Sequence, residues 1–205
     1  MSEAGGGLTT TQAVIKRAFD AAGAFFGLIV TSWIILPAYL AASLDTRANG
    51  FFTQERVGRN GRIFRVVKIR TMRPVSGLDT TVTTRHDPRI TRLGRFFRRT
   101  KIDELPQLFN VFVGQMSFVG PRPDVPDYAD QLVGSDRLIL TVRPGITGPA
   151  TLQYRDEEEQ LDRVEDPERY NREVIFPDKV RLNREYIERW SFLGDLHYIW
   201  RTVVS

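Results

Sequence analysis

Cysteine is absent from the 205 residues, and histidine occurs only twice, at His86 and His197. The missing thiols exclude disulfides and thiolate metal sites and fit a reducing compartment. The two histidines are far apart and show no metal-ligand spacing. No Walker pattern follows any glycine-containing stretch, and no nucleic-acid recognition signature occurs. Acidic residues are in slight deficit, 25 Asp and Glu against 29 Lys and Arg, which leaves a formal charge of +4 and a pI near 9.6. That balance points to an anionic partner, with nucleic acid, phospholipid headgroups and a phosphorylated substrate as the options. The length suits one domain with a real core.

One hydrophobic run is present. Ala21 to Leu44 is twenty-four residues without a formal charge, enough to cross a bilayer, which needs about 20. It exceeds the h-region of a secretory signal. A single span competes with a re-entrant helix, but the flanking charges favour re-entry: Lys16 and Arg17 precede the run, and Arg47, Arg56, Arg59, Arg62, Arg65, Lys68 and Arg70 follow it. Both ends therefore prefer the cytoplasmic side. The expected break lies at Ser32-Trp33, with Pro37 unable to donate to the Trp33 carbonyl and the Thr31 and Ser32 hydroxyls available to freed backbone groups.

Phe51 to Val57 and Ile63 to Met72 alternate apolar and charged residues around Gly58-Arg59-Asn60-Gly61, which predicts a β-hairpin. Pro74 to Thr84 reads as a polar loop. Asp87-Pro88 reads as the cap and first residue of a basic amphipathic helix with the stripe Ile90, Leu93, Phe96 and Phe97, suited to an anionic membrane surface. Seven cations lie between Arg85 and Lys101. They lead into Lys101-Ile102-Asp103-Glu104-Leu105-Pro106, where Pro106 marks the first turn of a helix and places Asp103 and Glu104 at its N-terminus. An acid there is ordinarily only a cap; beside so many cations, the pair reads as a nucleophile or metal ligand in a site for a polyanion. Gly120 to Pro126 and Arg143 to Pro149 are rigid turns presenting Arg122 and Arg143. Asp156 to Asp162 reads as solvated, Asp166-Pro167 and Pro177-Asp178 as two helix starts, and Ser191 to Val203 as an amphipathic helix for the core or the membrane interface.

These segments together resemble the monotopic phosphoglycosyl transferase family of bacterial sugar transferases, in its small form limited to the catalytic unit. The resemblance runs from about Lys16 to Val203. It rests on Lys16-Arg17-Ala18-Phe19-Asp20, on Gln54 to Gly61, on Lys68-Ile69-Arg70-Thr71-Met72, on Asp103-Glu104-Leu105-Pro106-Gln107, on Met116 to Pro123 and on Arg143 to Gly148.

The resemblance implies transfer of a sugar 1-phosphate from a UDP-sugar to a membrane polyprenyl (undecaprenyl) phosphate, with Mg2+ and release of UMP. It implies Asp103 as the nucleophile, Glu104 as the metal's carboxylate, and Arg98 and Arg122 in the site, with Lys68, Arg70 and Arg143 as further phosphate ligands. A re-entrant helix at the cytoplasmic face of the bacterial inner membrane is also implied, with membrane lipids and no nucleic acid as partners; a homodimer is compatible. The expected fold is α+β, mainly helical with a small β-hairpin, a monotopic membrane protein with a kinked re-entrant helix and amphipathic interfacial helices. Its expected parts are a disordered tail over 1–12, the membrane helix over 13–48 and a cytosolic catalytic domain over 49–205. Three segments depart from the family's pattern: Ser32-Trp33 with Pro37 a turn later replaces a Ser-Pro pair, Thr46 to Gly50 lacks a proline, and Pro149 to Tyr154 replaces a Trp-containing segment. A non-catalytic membrane scaffold and an anionic-lipid or nucleic-acid binder are the rival readings.

Overall fold

A computed structural model describes residues 7–74 and 87–204, with the side chain of residue 158 left out. Residues 1–6 of the expected tail and residues 75–86, which hold most of the expected polar loop with Arg85 and His86, lie outside the described residues.

Helix α1 (Thr10–Thr46) starts ahead of the expected residue 13 because Thr9 and Gln12 close a reciprocal cap, Gln12 N–H to Thr9 Oγ1 and Thr9 N–H to Gln12 Oε1. It ends at Arg47, which adopts the left-handed conformation (φ 53°). Between these points it is continuous. Ser32, Trp33 and Pro37, expected at a break, all lie inside the helix. The Thr31 and Ser32 hydroxyls bond back to the Gly27 and Ile29 carbonyls, not to the carbonyl that Pro37 leaves free.

The sides of α1 are the reverse of a soluble helix. Its inner face is small or polar, with Lys16, Asp20, Ala24, Ala38, Ala42 and Thr46 buried, whereas Phe26, Val30, Trp33, Leu36 and Leu40 are more than 60% exposed. Small inner residues let the backbone approach its partners: a Cβ on Gly23 would sit 2.8 Å from the Phe118 ring. The outer apolar stripe is far larger than a soluble surface tolerates. A 37-residue helix is about 55 Å long, and its inner face touches the rest of the protein along that length. Near its start Phe19 meets Phe118 and Phe192, Ala24 packs with Phe64 and Val111, and Ile35, Ala38 and Ala42 pack with Ile69 and Phe97.

The start of α1 is held by a buried polar cluster. Lys16 Nζ lies 2.5 Å from Asp195 Oδ2, and Asp195 also accepts from the Tyr186 hydroxyl (2.6 Å) and the Trp190 indole (3.1 Å). Burial and the facing carboxylate push the Tyr186 hydroxyl far above its usual pKa, so it remains a donor. Asp195→Asn takes the ion-pair partner from buried Lys16, leaving only Asp20 as a neighbouring charge, and an unfolding midpoint in detergent is expected to fall by the equivalent of about 3 kcal/mol.

The hairpin is as expected. Strand β1 (Phe51–Val57) pairs antiparallel with β2 (Ile63–Ile69), Gln54 facing Val66. The turn holds Asn60 and Gly61 both at positive φ (59° and 75°), the twist that a tight hairpin turn needs. Met72, expected in the strand, pairs only with Ile90 as an isolated bridge.

Asp87 does not cap a helix. Its carboxylate is taken by Arg89 through the backbone N–H (2.9 Å) and the guanidinium (2.7 Å), and α2 (Arg92–Thr100) is capped by Thr91, which accepts from Gly94 N–H. Gly94 lies against the chain just beyond β2: a Cβ there would collide with the Thr71 carbonyl. Gly94→Ala is therefore expected to lower stability by about 1–3 kcal/mol, read from urea unfolding.

Helix α3 (Gln107–Phe112) has six residues, and the apolar side chains on and just after it divide. Leu108, Val111 and Met116 are buried, while Phe109, Phe112 and Val113 are exposed. Asn110 docks the helix on the free edge of β2, accepting from Val67 N–H (3.0 Å) and donating to the Arg65 carbonyl (2.8 Å). A side chain thus supplies the partner that this strand edge lacks.

A short parallel pair was not expected: β3 (Ser117–Val119), just ahead of the first proline-rich turn, with β4 (Gly145–Thr147), inside the second. Beyond it come α4 (Pro149–Gln153), α5 (Glu157–Leu161), α6 (Pro167–Tyr170), α7 (Phe176–Glu188) and α8 (Phe192–Val204). The two helix starts expected at Pro167 and Pro177 belong to one helical run, joined by a π turn at Asn171–Ile175. The wider turn accommodates a proline that cannot donate to the preceding turn. On α8, Ile199 and Tyr198 pack on the core, whereas Leu193, Trp200 and Val203 are 61–79% exposed.

Candidate active site

Lys101 ends α2 in the left-handed conformation (φ 58°), and its N–H is taken by the Arg98 carbonyl. The reversal sends the chain directly into a 3-10 turn, Ile102–Glu104, so the acid pair sits between two helices. Pro106 then opens α3, as its fixed φ suits. A six-residue helix contributes little dipole, and the charges that hold the pair come from elsewhere.

Glu104 Oε1 accepts from Lys68 Nζ on β2 (3.2 Å) and from Arg122 Nη2 after β3 (2.7 Å). The pair of cations holds the Glu104 carboxyl well below its ordinary value although burial pushes the other way, Arg122 being the stronger influence. Glu104 in return raises Arg122. Lys68 is lowered, burial outweighing Glu104. Glu104 is therefore an anion fixed between two cations.

Asp103 differs from its neighbour in every respect. It is 7% exposed, and its Oδ1 has no hydrogen-bond partner. Burial first, then repulsion from Glu104, raise its pKa to about 6, against smaller opposing effects of Lys68, Lys101 and Arg98. A helix N-terminus would favour its ionised form; here burial outweighs any such effect and makes it more basic. An ionised oxygen lacking donors is the more reactive for it. Gln107 Nε2, a turn further on, is also buried without a partner.

The remaining expected residues separate. Arg98 lies near enough to lower the Asp103 pKa and is oriented by Thr71 Oγ1 (3.1 Å). Arg70 turns away, to the Asn49 carbonyl (2.7 Å) and over the Phe52 ring (5.5 Å). Arg143 donates to the Gly114 carbonyl (2.8 Å), beyond the far end of α3 from Asp103. Lys68, Arg98 and Arg122 thus gather at the acid pair; Arg70 and Arg143 do not.

Two residues beside this centre were not among the expected site residues. Arg56 on β1 donates to the Pro123 carbonyl (3.1 Å), and burial and Arg122 lower its pKa to about 10. Asp124 is raised to about 6 by burial, opposed by Lys179 and Arg56. The only signal available was position, Asp124 standing two residues after Arg122. Glu157, expected in a solvated acidic stretch, instead pairs with Lys179 at 2.7 Å.

Among the described residues no three His, Asp or Glu side chains converge. Mg2+ characteristically takes one or two carboxylates together with water and substrate phosphates. An adjacent acid pair with one buried oxygen unpartnered fits that demand.

Comparison with known proteins bears on the whole arrangement. The chain is 35% identical over 207 residues to the galactosyl transferase CpsE of Streptococcus agalactiae serotype III (strain NEM316), covering 93% of this chain and 41% of that protein. It is 35% identical over 202 residues to the UDP-glucose:undecaprenyl-phosphate glucose-1-phosphate transferase of Escherichia coli (strain K12), covering 96% and 41%. It is 29% identical over 214 residues to the exopolysaccharide production protein ExoY of Sinorhizobium fredii (strain NBRC 101917 / NGR234), covering 97% and 88%. The chain thus spans about two fifths of the length of the first two relatives. The bacterial sugar transferase family model matches residues 11–205, the acid pair and its cations included, and the chain belongs to that family.

Proposed function

We propose that this chain transfers a sugar 1-phosphate from a UDP-sugar to undecaprenyl phosphate, the first membrane step of a bacterial glycan assembly. The observation that carries the reading is the contrast within the acid pair: Glu104 is neutralised by Lys68 and Arg122, while Asp103 keeps a buried oxygen without a donor. The E. coli relative bears the name of this reaction.

In the first step an Asp103 oxygen forms a bond to the phosphorus that carries the sugar. The bond from that phosphorus to the bridging oxygen breaks, and UMP leaves with the electron pair. In the second step a phosphate oxygen of undecaprenyl phosphate attacks the same phosphorus, the bond to Asp103 breaks, and the carboxylate is restored. The product is undecaprenyl diphosphate sugar, and no net proton is needed from the enzyme.

The barrier is mainly electrostatic. Of a guanidinium's five N–H donors, Arg122 gives one to Glu104, so others remain for diphosphate oxygens. Arg98, oriented by Thr71, adds a second guanidinium near Asp103. Asp103 and Glu104 are the side chains that would hold Mg2+, which when bound neutralises charge on the diphosphate. Dividing the transfer in two lets a soluble donor and a lipid acceptor visit the same carboxylate in turn.

The outer stripe of α1 belongs in lipid. Lys16 near one end and Thr46 at the other are both buried against the same protein body, which supports an unbroken helix lying along one face of the bilayer with its outer stripe in lipid, not one that spans it. The exposed Phe109, Phe112, Leu193 and Trp200 rest at the same interface, on the cytoplasmic side.

Purified protein incubated with radiolabelled UDP-sugars and Mg2+, without acceptor, is expected to retain covalent label and release UMP in equal amount. Membrane binding with neither label nor turnover across the UDP-sugars would favour a scaffold.

A further inference from the structure

Three arginines stand apart from the acid pair. Arg17 of α1 donates to the Val111 and Phe112 carbonyls (2.7 and 2.6 Å) at the end of α3, and Arg143 donates to the Gly114 carbonyl (2.8 Å). The Arg17 guanidinium is close enough to Gly114 that a Cβ there would lie 3.3 Å from its central carbon. Two guanidiniums therefore meet at one glycine. The hairpin turn that carries Arg59 packs on the 3-10 stretch Gly134–Thr141 leading into Arg143, and Arg59 is exposed there; burial first, then the charges of Arg17 and Arg59, lower the Arg143 pKa.

Like charges held together need a reason. Backbone carbonyls fix Arg17 and Arg143, which explains their orientation but leaves the charge uncompensated. Among the described residues none of the three forms an ion pair. Among the described residues the acid that acts on Arg143 is Asp20, which already accepts from Phe118 N–H and interacts with Lys16. Of each guanidinium's five N–H donors, Arg17 gives two to the protein and Arg143 one. The rest form a preorganised set suited to phosphate oxygens.

The location selects the source of the phosphate. Phe112 and Val113, 41% and 46% exposed, immediately precede Gly114, and Phe112 stacks near Phe25 on the outer stripe of α1 (6.0 Å). The guanidiniums thus sit at the border of the apolar surface, where headgroups lie once that surface is in lipid. We propose that Arg17, Arg59 and Arg143 form a second anion site, separate from Asp103 and Glu104, that takes the phosphate of an acidic phospholipid headgroup. The inference rests on the membrane placement of α1 and gives Arg143 a ligand other than the sugar donor.

The test is flotation of the full chain with vesicles of phosphatidylcholine alone or with a third phosphatidylglycerol, at fixed ionic strength. Wild type is expected to prefer the acidic vesicles. Arg59→Gln, which removes an exposed side chain and leaves the fold intact, is expected to reduce that preference about fivefold, and Arg59→Gln with Arg143→Gln about twentyfold or more. Arg169→Gln with Arg181→Gln, an equal charge loss on α6 and α7, is expected to change it less than twofold. Equal losses in both double variants, or none in either, would overturn the site and leave only diffuse attraction. Inorganic phosphate abolishing the preference at constant ionic strength would overturn the lipid assignment in favour of a free-phosphate site. Failure of wild type to bind phosphatidylcholine vesicles would instead refute the membrane placement of α1, and the headgroup site with it.

Discussion

Asp103→Asn is expected to abolish turnover and covalent labelling while making the protein more stable at neutral pH. The activity loss follows because an amide oxygen is a poor nucleophile and no other described acid near the diphosphate clamp has an unpartnered oxygen of this kind. At least a ~10⁴-fold fall, to the background of the assay, is the expected scale for a lost covalent route. The stability gain has a separate origin. The folded protein holds the Asp103 pKa at about 6, above the ordinary 3.8. A raised carboxyl pKa means that the folded state binds the proton more tightly. The resulting penalty is absent below about pH 3.8, builds between the two values and is complete above about pH 6. At about 1.4 kcal/mol per pH unit, the ionised side chain costs on the order of 2–3 kcal/mol above that range. Urea unfolding at about pH 7.5 is therefore expected to show the Asp103→Asn protein more stable than wild type, and at about pH 4 nearly equal to it. A variant that was inactive because it was misfolded would move the other way.

Glu104→Gln is the second large effect. The substitution keeps the shape and removes the charge that joins Lys68 to Arg122. Two cations then face each other across a neutral amide, and the clamp loses the geometry on which it depends. A fall in kcat of about a hundredfold or more is expected. Its pH dependence is diagnostic. In wild type, labelling should decline as pH drops through about 6, where Asp103 takes up its proton. Glu104 is the second-largest cause raising that pKa, after burial, so in Glu104→Gln the acid limb is expected at lower pH. Single-turnover labelling from about pH 4.5 to about pH 8 checks both statements. An unmoved limb would show that the limb belongs to another group.

What the sequence made legible was local. Asn60-Gly61 defined the hairpin because a two-residue left-handed turn has few solutions, and the strands observed agree with those expected apart from the last residues of the second. Asp103 and Glu104 stood out because charge of both signs crowded one segment. The different fates of the two acids were not legible: adjacent in sequence, one faces Lys68 and Arg122, 36 and 18 residues away, and the other has an oxygen that faces no donor. Arg70 and Arg143 show the same limit in reverse. A motif brings an arginine into the neighbourhood, but the direction of its side chain is set by carbonyls at Asn49 and Gly114. The Lys16–Asp195 pair joins the first helix to the last across 179 residues, and nothing in either segment announces the other. Pro37 suggested a break that tertiary packing of Ile35, Ala38 and Ala42 on Ile69 and Phe97 carries the helix through. Pro177 was likewise absorbed, by a π turn.

The most direct measurement is the mass of the peptide containing Asp103 after incubation of the whole protein with a UDP-sugar and Mg2+, acceptor absent. A hexose-phosphate or other sugar-phosphate increment on Asp103, removed on adding undecaprenyl phosphate, is the predicted result. Turnover with that peptide unmodified, or with the increment on a different residue, would contradict the account.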